Sequence, residues 1–236
     1  VTCRDDYRAT ALENAEADAW LSADDDAPTI AALYVEKDGA YFGLPNVDPW
    51  DEKRDARKYA GPHPVIAHPP CNKWSPLAYI NQKRLPGYHV GDDGGCFEHA
   101  LECVREFGGV LEHPANSIAW RHYNLRRPKR GSWQLAGGSG PMAEWVTEVD
   151  QGAYGHRARK RTWLLYVGVV PPFGLDWSEA SGDAIVSGFL HHKAGAYRAD
   201  ERRRVRPKEA AATTPAFRWV LIRLANRSMT GREETS

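Results

Sequence analysis

Residues 63–71, HPVIAHPPC, decide how the chain is read. Val65, Ile66 and Ala67 form a short apolar run suited to a buried strand. Pro69 and Pro70 stop it, because neither can donate to a sheet ladder. Cys71 follows at once and so falls at the strand's carboxyl end, where open α/β sheets hold their ligands. Free cysteines usually pack as small buried hydrophobes. A structural cysteine is therefore the first expectation here, and the rest of the chain shifts it towards chemistry.

Working outward, the same pattern recurs. The spacing predicts a strand at 29–36 and a short helix at 50–60. A Pro- and Gly-rich loop is expected over 76–95, then a helix from Cys96 with Phe97, Ala100, Leu101 and Val104 on one face. Gly108 and Gly109 close that helix, and VLEHP (110–114) is a second short strand stopped by proline. Residues 115–125 read as helical. EWVTEVDQGAYGHRARKRTWLLYVGV (144–169) reads as two strands around an arginine-rich connection. Alternating strands and helices imply an α/β fold with a largely parallel sheet, a shortened Rossmann-like core. The expected organisation is an acidic N-terminal helical segment (1–28), a catalytic core (29–170), a small recognition-like appendage (171–213), a closing helix (214–228) and a polar tail (229–236).

Lys plus Arg and Asp plus Glu both number 31 in 236 residues, so the net charge of zero implies no global attraction for a polyanion. The charges are nonetheless segregated. The first 26 residues are acidic, whereas 121–131 (RHYNLRRPKRG), 155–161 (GHRARKR) and 198–208 are basic. Such patches suit a nucleic-acid groove on one face, or simply solvated loops. Four cysteines in a chain of this length make no disulfide framework. No signal peptide is recognisable, and no apolar run approaches the ~20 residues that span a bilayer. A soluble cytoplasmic protein without a membrane partner is expected. Cys96, His99 and Cys103 share a helical face, but core packing explains them better than a metal.

Three segments place polar groups beyond strands: Cys71, Glu112, and Arg157, Arg159 and Arg161. A thiol, a carboxyl and guanidinium groups suit nucleophilic attack on an electron-poor carbon such as C6 of a pyrimidine. A carboxylic acid at N3 would supply a proton, and the arginines would hold oxygen or phosphate and lower the thiol pKa. His63 and His68 are candidate proton shuttles. Tyr41 and Phe42 are expected to pack.

At these residues the chain resembles the DNA cytosine-C5 methyltransferases, in the manner of a shortened, divergent, phage-type member. Pro70-Cys71-Asn72-Lys73-Trp74-Ser75 resembles that family's Pro-Cys-Gln-x-Phe-Ser catalytic loop. Leu111-Glu112-His113-Pro114 stands where the family has Glu-Asn-Val, and AYGHRARKRTWLLYVG (153–168) resembles its Asp-Tyr-Gly-x-x-Gln-x-Arg-x-Arg hairpin. The resemblance covers roughly residues 60–170. It implies Cys71 as nucleophile, Glu112, Arg159 and Arg161 as catalytic partners, and Pro70, Asn72, Ser75 and Arg157 as substrate contacts. It also implies DNA, duplex or single-stranded, as partner and S-adenosylmethionine as methyl donor, acting on a cytosine flipped out of the stack.

The chain departs from the family's pattern on both the catalytic and the donor side. His113 and Pro114 replace Asn and Val, Arg157 takes the Gln position, and no Phe-x-Gly-x-Gly loop follows the first strand. Asp38, Asp48, Gly39 and Gly43 are the candidate donor contacts. The same thiol, carboxyl and arginines would serve another C5 donor or deamination at C4, on DNA, RNA or a free nucleotide. A non-catalytic DNA-binding relative is the other alternative.

Overall fold

Seven strands build the main sheet: β1 (Ile30–Leu33), β2 (Val47–Trp50), β3 (Val65–Ala67), β4 (Gly109–Pro114), β5 (Gln134–Ser139), β6 (Met142–Asp150) and β8 (Arg161–Gly168). In this computed structural model, which describes residues 29–179, 184–185 and 203–230, they lie in the order β2-β1-β3-β4-β8-β6-β5. β2, β1, β3 and β4 run parallel, whereas β8, β6 and β5 are added antiparallel. The fold is therefore mixed α/β, as expected, with a parallel half and an antiparallel half. Three two-residue strands, β7 (Ala158–Arg159), β9 (Ala184–Ile185) and β10 (Arg203–Arg204), pair beside it.

Alternation along each strand divides the core into two layers. Ala31, Leu33, Ala67 and Leu111 face one side, against Phe97, Ala100, Leu101 and Val104 of the helix Cys96–Phe107. Ile30, Ala32, Ile66, Val110 and Leu164 face the other, against Phe217, Leu221, Leu224 and Ala225 of the helix Pro215–Met229. Each buried Leu, Ile, Val or Phe among them contributes ~1.5–3 kcal/mol, so both helices are fixed by packing rather than propensity. Thr214 caps the second one through Phe217 N–H, with Pro215 in its first turn. Gly108, at φ 78°, ends the first.

Several sequence expectations change. In place of the helix at 50–60, Trp50 ends β2 and only Ala56–Lys58 make a 3-10 turn, and the loop at 76–95 contains a helix, Ala78–Arg84. The helical stretch at 115–125 shortens to Ile118–His122, because Asn116 and Asn124 adopt positive φ on either side of it. β2 and β5 were not expected. β2 carries Pro49, which an edge strand tolerates, and the two glycines and bulge of β5 hide its alternation. The polar tail starts later than expected, since Met229 still belongs to the last helix. The segment 1–28, with Cys3, and residues 180–183, 186–202 and 231–236 lie outside the described residues, as does about half of the expected appendage.

Candidate active site

Parallel pairing sets Ala67 of β3 opposite Leu111 of β4, so the chain leaves β3 through His68 alongside Glu112. β8 runs the other way, with Pro114 opposite Thr162, and therefore begins where β3 and β4 finish. The Cys71 loop, Glu112 and the 157–161 segment thus meet at one end of three adjacent strands. His63 precedes β3 and lies at its opposite end, so it is no proton shuttle for Cys71.

Glu112 points to the same face as Val110 and is buried there within a chain of polar groups. Its Oε2 lies 3.0 Å from His68 Nδ1, and His68 Nε2 lies 2.9 Å from the Tyr41 hydroxyl. Its Oε1 accepts from Gln151 Nε2 at 3.1 Å, and the same amide donates to Thr162 Oγ1 at 2.8 Å. Burial alone would push the carboxyl up. The His68 hydrogen bond and the charges of Lys160 and His68 outweigh it and bring Glu112 down to about 2. The resting carboxyl is thus an anion, not the free acid that the sequence reading gave it.

Cys71 is an exposed free cysteine on the loop that follows. The protein around its thiol still removes water, and that desolvation, helped by the Glu112 charge, pushes its pKa up, with Lys160 opposing. The arginines therefore do not lower the thiol pKa as expected. Their side chains are spent on carboxylates: Arg161 makes a two-pronged bond to Glu148 at 2.8 Å and 2.8 Å, Arg159 pairs with Asp150 and Glu179, and Arg157 with Glu209. Lys160, between two of them, is the cation that acts on both Cys71 and Glu112.

The loop itself is braced from below. Trp74 is 1 % exposed and its indole N–H donates to Asp93 at 2.7 Å, while its backbone N–H donates to Cys71 O at 3.1 Å. Gly91 N–H donates to Lys73 O at 3.0 Å, and a side chain at Gly91 would meet the Trp74 ring at 2.9 Å. Pro70 and Asn72 are exposed and Ser75 half-buried, so Pro70 and Asn72 remain open to a substrate. Asn72 Oδ1 accepts from Lys73 N–H at 2.9 Å. His113 is buried under this loop, edge-on to Phe97, and neither ring nitrogen has an aligned hydrogen-bond partner. Burial lowers its pKa to about 4 against smaller opposing effects of Glu112 and the Pro69 and Pro70 carbonyls.

On the donor side the residues do not form an adenosylmethionine cradle. Asp48 is held by the Trp50 indole at 2.8 Å and by Arg54. Gly39 serves a local turn in which its N–H donates to Glu36 O at 2.9 Å. Tyr41 is buried, with its hydroxyl committed to His68. Asp38 sits at positive φ beside that turn, and Gly43, also at positive φ, faces open space. Among the described residues no three acidic, Cys or His side chains could hold a metal. Cys103 packs in the core and His99 bonds Tyr34 at 3.0 Å. No helix among them is long and apolar enough to cross a membrane.

Sequence reasoning missed Tyr41, Gln151, Lys160 and Thr162. Gln151 and Lys160 lie inside the segment that carried the resemblance and could have been weighed with the arginines. Tyr41 gave no signal, because only the fold brings it to His68. No family model, curated protein or solved structure matches the chain.

Proposed function

We propose that this protein modifies a pyrimidine of DNA, most simply a flipped cytosine, through a covalent bond from Cys71 to C6. The carrying observation is the meeting of the Cys71 loop, Glu112 and Lys160 at one end of β3, β4 and β8. As sulfur bonds to C6, the C5=C6 electron pair shifts towards C4 and the C4=N3 pair moves onto N3. N3 takes a proton from the His68–Glu112 pair, and the thiol proton restores that pair. C5 becomes an enamine-type nucleophile for an electrophile; where C5 takes a proton instead, the C4=N3 bond of the resulting 5,6-dihydro adduct is restored and C4 becomes open to water. Because the donor-side residues do not cradle adenosylmethionine, the reading stops at this adduct and leaves the transferred group unassigned.

DNA carrying a 5-azacytosine-type base, whose thiol adduct at C6 needs no donor to persist, should form a denaturation-stable complex that Cys71→Ser abolishes without loss of DNA binding. No complex with several pyrimidine analogues and candidate donors would overturn the reading. A binding-only protein is the second reading, favoured by the raised thiol pKa. The same experiment separates the two.

A further inference from the structure

Arg157, Arg159 and Arg161 are neutralised by carboxylates, but another basic segment is not. Arg121 and Arg127 are exposed, and among the described residues no carboxylate pairs with either. Both line a cleft of about 480 Å³ with Tyr79, Asn116, Trp120 and Trp163, within the ~300–1,000 Å³ range of ligand sites. Arg121 Nη2 donates to the Tyr79 hydroxyl at 3.0 Å, which holds the guanidinium at the cleft wall and leaves its other N–H groups uncommitted. Arg127 lies 5.9 Å from the Trp163 ring centroid and touches Asn116 Oδ1 only at 3.5 Å.

The cleft adjoins the proposed active site through the chain. Pro76 at its rim is five residues beyond Cys71, and Asn116 is four beyond Glu112. Ile118 N–H donates to Trp74 O at 2.8 Å, tying the cleft wall to the Cys71 loop. Beside it Leu77, Tyr79 and Ile80 are each 44 % exposed, an apolar surface next to unpaired guanidinium groups.

We propose that this cleft binds a nucleotide of the same strand next to the target base, with its phosphate on Arg121 and Arg127 and its base against Tyr79. This rests on the pyrimidine-modifying reading and deepens it: a polynucleotide strand is held more tightly than a free nucleotide. Guanidinium groups match phosphate oxygens in geometry and charge. An unstacked base next to a flipped one needs an aromatic or apolar surface, as single-stranded binders provide.

The test uses the full chain with Arg121→Met and Arg127→Met combined, which keeps the aliphatic stems of two exposed residues. Binding of a single-stranded oligodeoxynucleotide to the Cys71→Ser protein should weaken about 10- to 100-fold when both charges are removed. Its salt dependence should flatten by about 1.4 in log–log slope. Trapping of 5-azadeoxycytidine monophosphate by Cys71 should stay unchanged, since the target base does not occupy the cleft. Unchanged oligonucleotide affinity and slope would overturn the proposal. So would equal losses for oligonucleotide and mononucleotide. If Cys71 traps nothing at all, the oligonucleotide arm still decides the cleft, so the two readings fail separately.

Discussion

His68 Nδ1 and Glu112 Oε2 lie 3.0 Å apart, joining the last residue before the Pro-Pro-Cys loop to the carboxyl at the end of the neighbouring strand. Tyr41 holds the far side of the imidazole and Gln151 the other carboxyl oxygen, so the pair is fixed at four atoms. A carboxylate kept ionised cannot by itself give up a proton. Paired with an imidazole, it can hold one for transfer.

Glu112→Gln is therefore expected to keep the fold and DNA binding while slowing adduct formation by about two to four orders of magnitude. His68→Asn should lose a similar factor, and the double variant little more than either alone, because the two act as one unit. The rate of covalent trapping measures this. Additive losses, or near-normal trapping by Glu112→Gln, would remove the pair from the mechanism.

Stability should fall as the solution is acidified, in two overlapping stages. His113 drops from an ordinary 6.5 to about 4, so the unfolded chain binds more protons between those values and stability declines as pH falls through them. Glu112 drops from 4.5 to about 2, and its contribution, present above 4.5, is lost towards 2. Each is worth ~3 kcal/mol at most. Thermal unfolding followed from pH 7 to pH 4 should show a falling midpoint, and His113→Phe should flatten the first stage.

Lys160→Met should push the Cys71 thiol higher still. Alkylation by iodoacetamide, followed against pH by mass spectrometry, should reach half-maximum above the ordinary thiol value of 9.0 and move further alkaline in the variant. Arg161→Met should leave it in place, because that guanidinium is already committed to Glu148.

Calorimetry with adenosylmethionine or adenosylhomocysteine, in the presence of DNA, should give no micromolar binding. The acidic side chain on β2 already has Arg54 and the Trp50 indole as partners. Measurable binding would mean that Asp48 exchanges those partners for a ribose, and would restore methyl transfer.

Sequence alone placed β3, β4, the helix that starts at Cys96 and the last helix, because each has either proline or glycine punctuation or a clear apolar period. It failed at β2 and β5, where a proline or a glycine pair obscures the pattern. It located Glu112 but not its ionisation, which depends on the His68 hydrogen bond and the Lys160 charge that the fold brings beside it. It also weighed the arginines as free charges. Only the fold reveals that Glu148, Asp150, Glu179 and Glu209 had already claimed them.

Gly91 and Trp74 bear on how such a loop can be inherited or transplanted. The Cys71 loop rests on an indole whose far edge is covered by a glycine 17 positions later and whose N–H is held by Asp93. A graft of residues 70–75 alone into another scaffold would arrive without its foundation. Descendants of this chain that change Trp74 must change positions 91 and 93 in step, so the three should travel together as one heritable unit.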